Sequence, residues 1–324
     1  MIEQRQFVGM DELLQTKLAP PRLHARLVAR AALLAKLDKG LTCKLTLLSA
    51  PAGFGKTTLV GQWSAECGVR NAELPSQDLL HSALHTPHSV AWVSLDAGDN
   101  DPVRFWRYVI TACQQFSPKV GAAALVQLRS AQSPPFEALL TTLINDLAQL
   151  SDRAVLVLED YHVITAPQIH EQLTFLIDHL PASLHLLITT RQDPPLPLAR
   201  LRARQELNEI SGADLRFSVA EAAAFLEQAL GFSLPPALLS RLEARTEGWV
   251  TGLHLVALAL QTRHELGAIE QFVDTFSGSH RHILEYLAAA VLRVQPPSVQ
   301  AFLLQTTFLS RLTGALCDAL LDRK

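Results

Sequence analysis

Residues 44–58 read KLTLLSAPAGFGKTT, and this stretch decides the fold. An apolar run ends in a loop with two glycines, and Lys-Thr-Thr then opens a helical segment. Strand, glycine loop and helix in that order form the setting a P-loop requires. Against the pattern G-x-x-x-x-G-K-[ST], Ala50 replaces the first glycine, while Gly53 and Gly55 keep the loop flexible enough to wrap a phosphate. The loop residues Ala52, Gly53, Phe54 and Gly55, with Lys56, Thr57 and Thr58 at the helix start, are therefore the candidate nucleotide-binding cradle. Backbone amides and the helix N-terminus supply donors and partial positive charge. Lys56 is expected to reach the β- and γ-phosphates and the Thr57 hydroxyl to ligate Mg²⁺, so ATP or ADP with Mg²⁺ is the expected cofactor set.

Outward from this loop, short aliphatic runs alternate with helix-period segments, the mark of βαβ units around a parallel sheet. VAWVSL (90–95), AVLVL (154–158) and LHLLIT (184–189) read as further buried strands, and LNEI (207–210) as an edge strand. Residues 56–67, 102–116 and 136–150 read as helices packed on the sheet, and 71–88 as a long surface loop. A P-loop site also needs a carboxylate at the end of a neighbouring strand, to hold the metal and order the attacking water. Glu159 and Asp160 directly follow AVLVL and fit that need. The residues do not say which acid takes which role, so both are candidate metal ligands alongside Thr57. Arg191, after Thr189 and Thr190, puts a cation at the carboxyl edge of the sheet, where ligands of open α/β folds collect. With Lys56 and the two acids it completes the candidate catalytic set.

Beyond residue 210 the strand signal stops. Ser218 with Glu221 forms a capping box that opens a helix over 219–230, closed by Gly231. Helices are also expected over 235–245, 249–263, 281–294 and 296–305, and residues 314–324 read as an amphipathic helix. The boundary between the α/β and helical parts falls near residue 215. Trp249, Leu253, Val256 and Leu260 share one helical face and read as core.

The 324 residues carry 28 basic and 31 acidic side chains, a formal charge of −3, which lacks the basic footprint of a domain built around nucleic acid. No apolar run reaches the length of a membrane span, and the first residues resemble no secretion signal. A cytoplasmic protein is expected. Cys43, Cys67, Cys113 and Cys317 lack C-x-x-C spacing and read as reduced packing residues. His81, His85 and His88 are spaced like metal ligands but sit in a polar stretch, so a solvated loop is the expectation.

Taken in order, LLQTKLAPPRLHARLVARAALLAKLDKG, SAPAGFGKTTLVGQW, VAWVSLDAGDNDPVRFWRY, LVLEDYHVI, LLITTRQDPPLPLARLRA, DLRFSVAEAAAFLEQALG and TEGWVTGLHLVALAL resemble the signal-transducing (STAND) ATPase region of large LuxR-type transcriptional regulators. The resemblance implies a switch that is ADP-bound and monomeric at rest, and ATP-bound and self-associating when an inducer is sensed. It maps an adenine-contacting segment onto Val28 and Arg30, and a γ-phosphate sensor onto Arg191. Glu159 stands where the family more often has Asp, and Val250 where related ATPases place an adenine-contacting Pro. The family adds a winged-helix segment, a superhelical sensor and a C-terminal helix-turn-helix that binds DNA. FLLQTTFLSRLTGALCDALLD resembles the start of the winged-helix segment. The resemblance therefore implies a nucleotide-binding domain over 1–215, a helical domain over 216–295 and the beginning of a winged helix over 296–324. It also implies a piece of a longer protein, one that does not itself bind DNA.

Overall fold

The apolar runs assemble into one five-stranded parallel sheet in the computed structural model, which describes residues 12–23, 27–73, 89–129, 135–261, 265–276, 286, 288, 292–293, 295–307, 309 and 312–320. The strands are β1 (Leu45–Ser49), β2 (Ser89–Ser94), β3 (Ala154–Glu159), β4 (Leu184–Thr190) and β5 (Leu207–Ser211). Their order is β2-β3-β4-β1-β5, and every neighbouring pair is parallel. Every residue of β3 and β4 is buried, the signature of strands covered on both faces. The chain divides into two compact units, Met1–Arg216 and Phe217–Lys324.

In the first unit, alternate strand residues feed two separate cores. Leu45, Leu47, Val93, Leu156, Leu158, Leu186 and Ile188 face one core. It is built with α3 (Pro102–Cys113), α4 (Ala122–Arg129), α5 (Phe136–Ala148), α6 (Pro167–Asp178) and α7 (Leu198–Ala203). Leu48, Trp92, Val155, Val157, Leu187 and Ile210 face the other, built with α1 (Ala31–Gly40), α2 (Lys56–Glu73) and Leu215 of the short α8 (Gly212–Leu215). Helices on both faces are what a parallel sheet needs to hide two apolar surfaces. The cysteines are all free; Cys67 and Cys113 are buried, and burial pushes the Cys113 thiol up to about 12.

Besides helices that the sequence reading did not predict, among them α4, α6 and α7, the structure differs from it in the following respects. α2 continues to Glu73 where the sequence predicts a loop from Asn71, and the rest of that loop, including His81, His85 and His88, lies outside the described residues. α3 stops at Cys113 rather than at 116. The acid-bearing β3 is not the neighbour of β1, because β4 lies between them.

The first unit is also pinned by charge. The short 3-10 turn Gln15–Leu18 places Lys17, 7% exposed, against the fully buried Asp99, with a second bond to Asp96 at 3.0 Å. Arg104 Nε donates to the other oxygen of Asp99 at 3.1 Å, and the Lys17 ammonium lies 4.4 Å from the centre of the Tyr108 ring. Asp99 thus answers two cations.

The second unit is helical in its described part: α9 (Val219–Leu230), α10 (Pro236–Thr246), α11 (Val250–Leu260), α12 (Leu266–Thr275), α13 (Pro297–Thr306) and α14 (Gly314–Leu320). α9 has the expected ends: the Ser218–Glu221 capping box opens it and Gly231, at φ 80°, closes it in the left-handed region. Leu253, Val256 and Leu260 are fully buried, as their shared face requires, while Trp249 is half-buried and caps α11.

Asp99→Ala should leave the buried Lys17 with only the half-exposed Asp96 as carboxylate partner and lower the unfolding free energy of the α/β unit by about 1–3 kcal/mol in urea titrations. The double variant Lys17→Met/Asp99→Leu, which removes both charges, should recover most of that loss. A single variant as stable as the parent contradicts the pairing.

Candidate functional site

The P-loop is shaped by two glycines. Gly53 and Gly55 adopt φ of 78° and 76°, a region closed to most side-chain-bearing residues. Among the described residues, nothing lies within 4 Å of a Cβ placed on Gly55, so glycine is required there by backbone conformation rather than by space. The loop closes on Lys56, whose ammonium donates to the carbonyls of Ala50 at 2.7 Å and Pro51 at 3.0 Å. Burial lowers the Lys56 pKa below the usual lysine value; Asp160 opposes this, Arg191 reinforces it and Glu159 opposes it. Ala50, in the place of the first glycine, is buried and donates its amide to Thr190 O of β4 at 3.2 Å. Its methyl group belongs to the second core, which absorbs the departure from the motif.

Across the intervening β4, the acids reach this loop. Thr57 Oγ1 donates to Glu159 Oε1 at 2.5 Å. The second carboxylate oxygen accepts from Ser94 Oγ at 2.6 Å and from the Trp92 indole Nε1 at 3.1 Å. Glu159 is 7% exposed, whereas 41% of the Asp160 side chain is open to solvent. The two adjacent acids thus occupy different environments. Asp160 itself sits at φ 58° and ψ 39°, with its amide donating to Thr189 Oγ1 of β4 at 3.0 Å. This left-handed residue turns the chain sharply out of β3.

That turn brings in His162, a residue the sequence reading did not single out. Its Nδ1 lies 3.7 Å from Asp160 Oδ1, too far for a hydrogen bond, and is buried with no hydrogen-bond partner among the described residues. Burial lowers the His162 pKa, which Asp160 opposes and the Arg191 and Lys56 charges reinforce. The imidazole is neutral at pH 7. A signal was available: a histidine two positions after an acid pair, in a short turn at the carboxyl end of a buried strand.

Thr57 and Glu159 offer hard oxygens at hydrogen-bond separation where α2 begins, the donor type Mg²⁺ takes, so the residues present fit that ion.

The family description of the MalT winged helix domain matches residues 288–324. The HTH-type transcriptional regulator MalT of Cronobacter sakazakii is 35% identical over 305 residues, covering 94% of this chain. The chain is a homologue of MalT. It spans 31% of the length of that MalT protein. In fold it is similar to a STAND protein with a tetratricopeptide repeat sensor from Pyrococcus horikoshii, at TM-score 0.50 and 13% identity, covering 94% of this chain and 38% of that one. It is equally similar to a Walker-type ATPase of Pyrococcus abyssi, at TM-score 0.50 and 14% identity, covering 94% of this chain and 91% of that one. The shared architecture is the P-loop NTPase sheet. MalT homology extends from there into the winged helix at the carboxyl end.

The structure brings Lys56, Thr57, Glu159, Asp160 and Arg191 to one edge of the sheet. Arg191 directly follows β4, half-buried, and its charge acts on both Lys56 and His162. Phe54 packs on the second core, and Thr58 is exposed on the first turn of α2. Val28 is half-buried ahead of α1. The Arg30 guanidinium donates to Leu215 O and Arg216 O at 2.9 Å each and to Asp214 O at 3.4 Å. Its side chain clamps the carbonyl end of α8.

Lys56→Ala should weaken ADP and ATP binding by at least about tenfold, the scale of a lost charge-assisted hydrogen bond, with the melting temperature nearly unchanged. Unchanged affinity in a calorimetric titration would remove Lys56 from the phosphate site.

Proposed function

We propose that this chain is an ATP- and ADP-binding switch region of a transcriptional regulator, with slow Mg²⁺-dependent hydrolysis of ATP resetting it. The contact that carries the reading is Thr57 Oγ1 to Glu159 Oε1, which joins the phosphate loop to the acid strand across β4. MalT homology over 94% of the chain supports the regulatory context. In this reading residues 1–215 bind the nucleotide, 216–295 form the helical relay and 296–324 begin the winged helix. The protein works in the cytoplasm. At rest it is a monomer, ATP favours self-association, and the DNA-reading and inducer-sensing functions belong to the rest of the longer regulator.

The chemistry is in-line attack of water on the γ-phosphate, helped mainly by positioning and charge neutralisation. Glu159, buried and bonded to Thr57, is the metal-side acid; with Thr57 it would hold Mg²⁺, which would supply neutralisation of the phosphate charge. Asp160, open to solvent, is the acid that takes the proton of the attacking water. His162 stands beside it, its Nδ1 3.7 Å from Asp160 Oδ1, and helps Asp160 to orient the water. Lys56 leaves the Ala50 and Pro51 carbonyls for the phosphates. Arg191 meets the γ-phosphate that ADP lacks, which gives the two nucleotides different affinities for the same site.

Two variants test these roles. Asp160→Asn should slow phosphate release at least about 100-fold, as loss of a general base does, while ADP affinity stays within about twofold of the parent. Arg191→Ala should cost ATP affinity about 1.5–3 kcal/mol, leave ADP affinity nearly unchanged and abolish ATP-driven self-association measured by light scattering. Hydrolysis at the parental rate in the first variant removes Asp160 from the reaction. Equal loss of both nucleotides in the second marks Arg191 as structural.

A further inference from the structure

The end of β2 carries two donors that no step above uses. Trp92 is 1% exposed, and its indole N–H is shared between Ser94 Oγ at 2.9 Å and Glu159 Oε2 at 3.1 Å. Ser94 Oγ donates to the same Oε2 at 2.6 Å. Side chains two apart on a strand share a face. Trp92 and Ser94 therefore both project to the side of the sheet that holds α1 and α2, and β2 pairs Ser94 with Glu159 in register.

A carboxylate can rotate, and either oxygen can turn toward a metal. Here Oε2 is bound by two donors from β2, one of them a rigid buried ring. Only Oε1 is left toward Thr57. We propose that Trp92 and Ser94 are positioning residues that fix the Glu159 carboxylate so that Oε1 alone is presented to Mg²⁺. This rests on the reading of Glu159 as the metal-side acid and adds the device that orients it. Orienting partners of this kind matter for affinity because a loosely held ligand must be ordered each time the metal binds.

The pair also bears on the family difference at this position. Glutamate has one more methylene than aspartate and one more rotatable bond, so more freedom must be removed to hold its carboxylate. Two donors on one oxygen remove it.

The test is the Mg²⁺ concentration that half-saturates Mg²⁺-dependent ADP binding, followed with a fluorescent ADP analogue on the whole 324-residue chain. ADP affinity in EDTA is measured alongside. Ser94→Ala should raise the Mg²⁺ midpoint several-fold. Ser94→Ala combined with Trp92→Phe, which keeps most of the ring volume, should raise it about 10–100-fold, the usual effect of removing a partner of a metal ligand. Affinity in EDTA should stay within about twofold of the parent, and Ser94→Thr, which keeps the hydroxyl, should restore the midpoint. A merely structural pair would lower both affinities together or neither. Glu159→Gln separates the two levels. If that change leaves the Mg²⁺ midpoint unmoved, the metal-side reading fails and this proposal fails with it. If Glu159→Gln moves the midpoint and the Ser94 and Trp92 variants do not, the positioning role alone is overturned. Should Trp92→Phe unfold the protein, Ser94→Ala and its threonine rescue decide the matter.

Discussion

A buried carboxylate has to be matched by donors, and at Glu159 that requirement organises the centre of the α/β unit. Removing a carboxylate from water costs several kcal/mol unless hydrogen bonds replace the lost hydration. Three donors meet it, Thr57 from α2, Ser94 and Trp92 from β2. Those donors meet on the face of the sheet that α2 covers, and β1, which carries the phosphate loop, lies two strands from β3 in the sheet. The carboxylate therefore fixes distances that backbone pairing alone would leave to the accumulated twist of the strands. Moving α2 or the end of β2 would leave a charge without its partners.

The positions of the strands could be read from the chain because each is an aliphatic run buried on both faces, and the helix over 219–230 because its capping box and final glycine are local signals. Strand order could not be read in the same way. Parallel strands with similar compositions are interchangeable at the level of pattern, and whether β3 or β4 lies against β1 is decided by which helices cover which face. The consequence falls on the site. Glu159 was expected from a neighbouring strand, yet it reaches Thr57 from two strands away, and the strand between brings Arg191 to the same edge. The places of the glycine loop and of the acid pair could be read because each stands at the end of an aliphatic run. Arg30 was different: its clamp on the carbonyls of 214–216 joins residues more than 180 positions apart, and nothing local in LVARAAL indicates it.

The residues of DAGDND also act over a distance. Asp96 and Asp99 cap their own turn and also bind Lys17, and Asn100 joins two loops. Its Oδ1 accepts from the amides of Thr165 and Ala166 at 2.6 and 3.0 Å, and its Nδ2 donates to Val163 O at 2.9 Å. Those groups follow the turn that holds Asp160 and His162. The loop after β2 thus holds the far end of the acid turn, while the strand before it holds Glu159. Lys17 and Arg104, by holding Asp99, secure that loop from below. Side-chain bonds to backbone across 60 or more residues leave no periodicity for a sequence reading to find.

Lys56 shows how such a rigid frame can still support a switch. Its ammonium donates to two carbonyls of its own loop. A nucleotide must draw the lysine from those carbonyls, and the affinity observed is the difference between the two sets of bonds. That difference contains nothing to separate ATP from ADP if both phosphate chains meet Lys56 alike. Discrimination has to come from groups that only the γ-phosphate reaches, and a ligand shifts a conformational balance only by such differential contacts. Arg191 and the turn of Asp160 and His162 stand at that edge, on strands held against the loop by Ala50 and Glu159. In the switch proposed above, a loop and an acid strand held in this way would leave the side chains at the sheet edge as the groups that respond to the γ-phosphate.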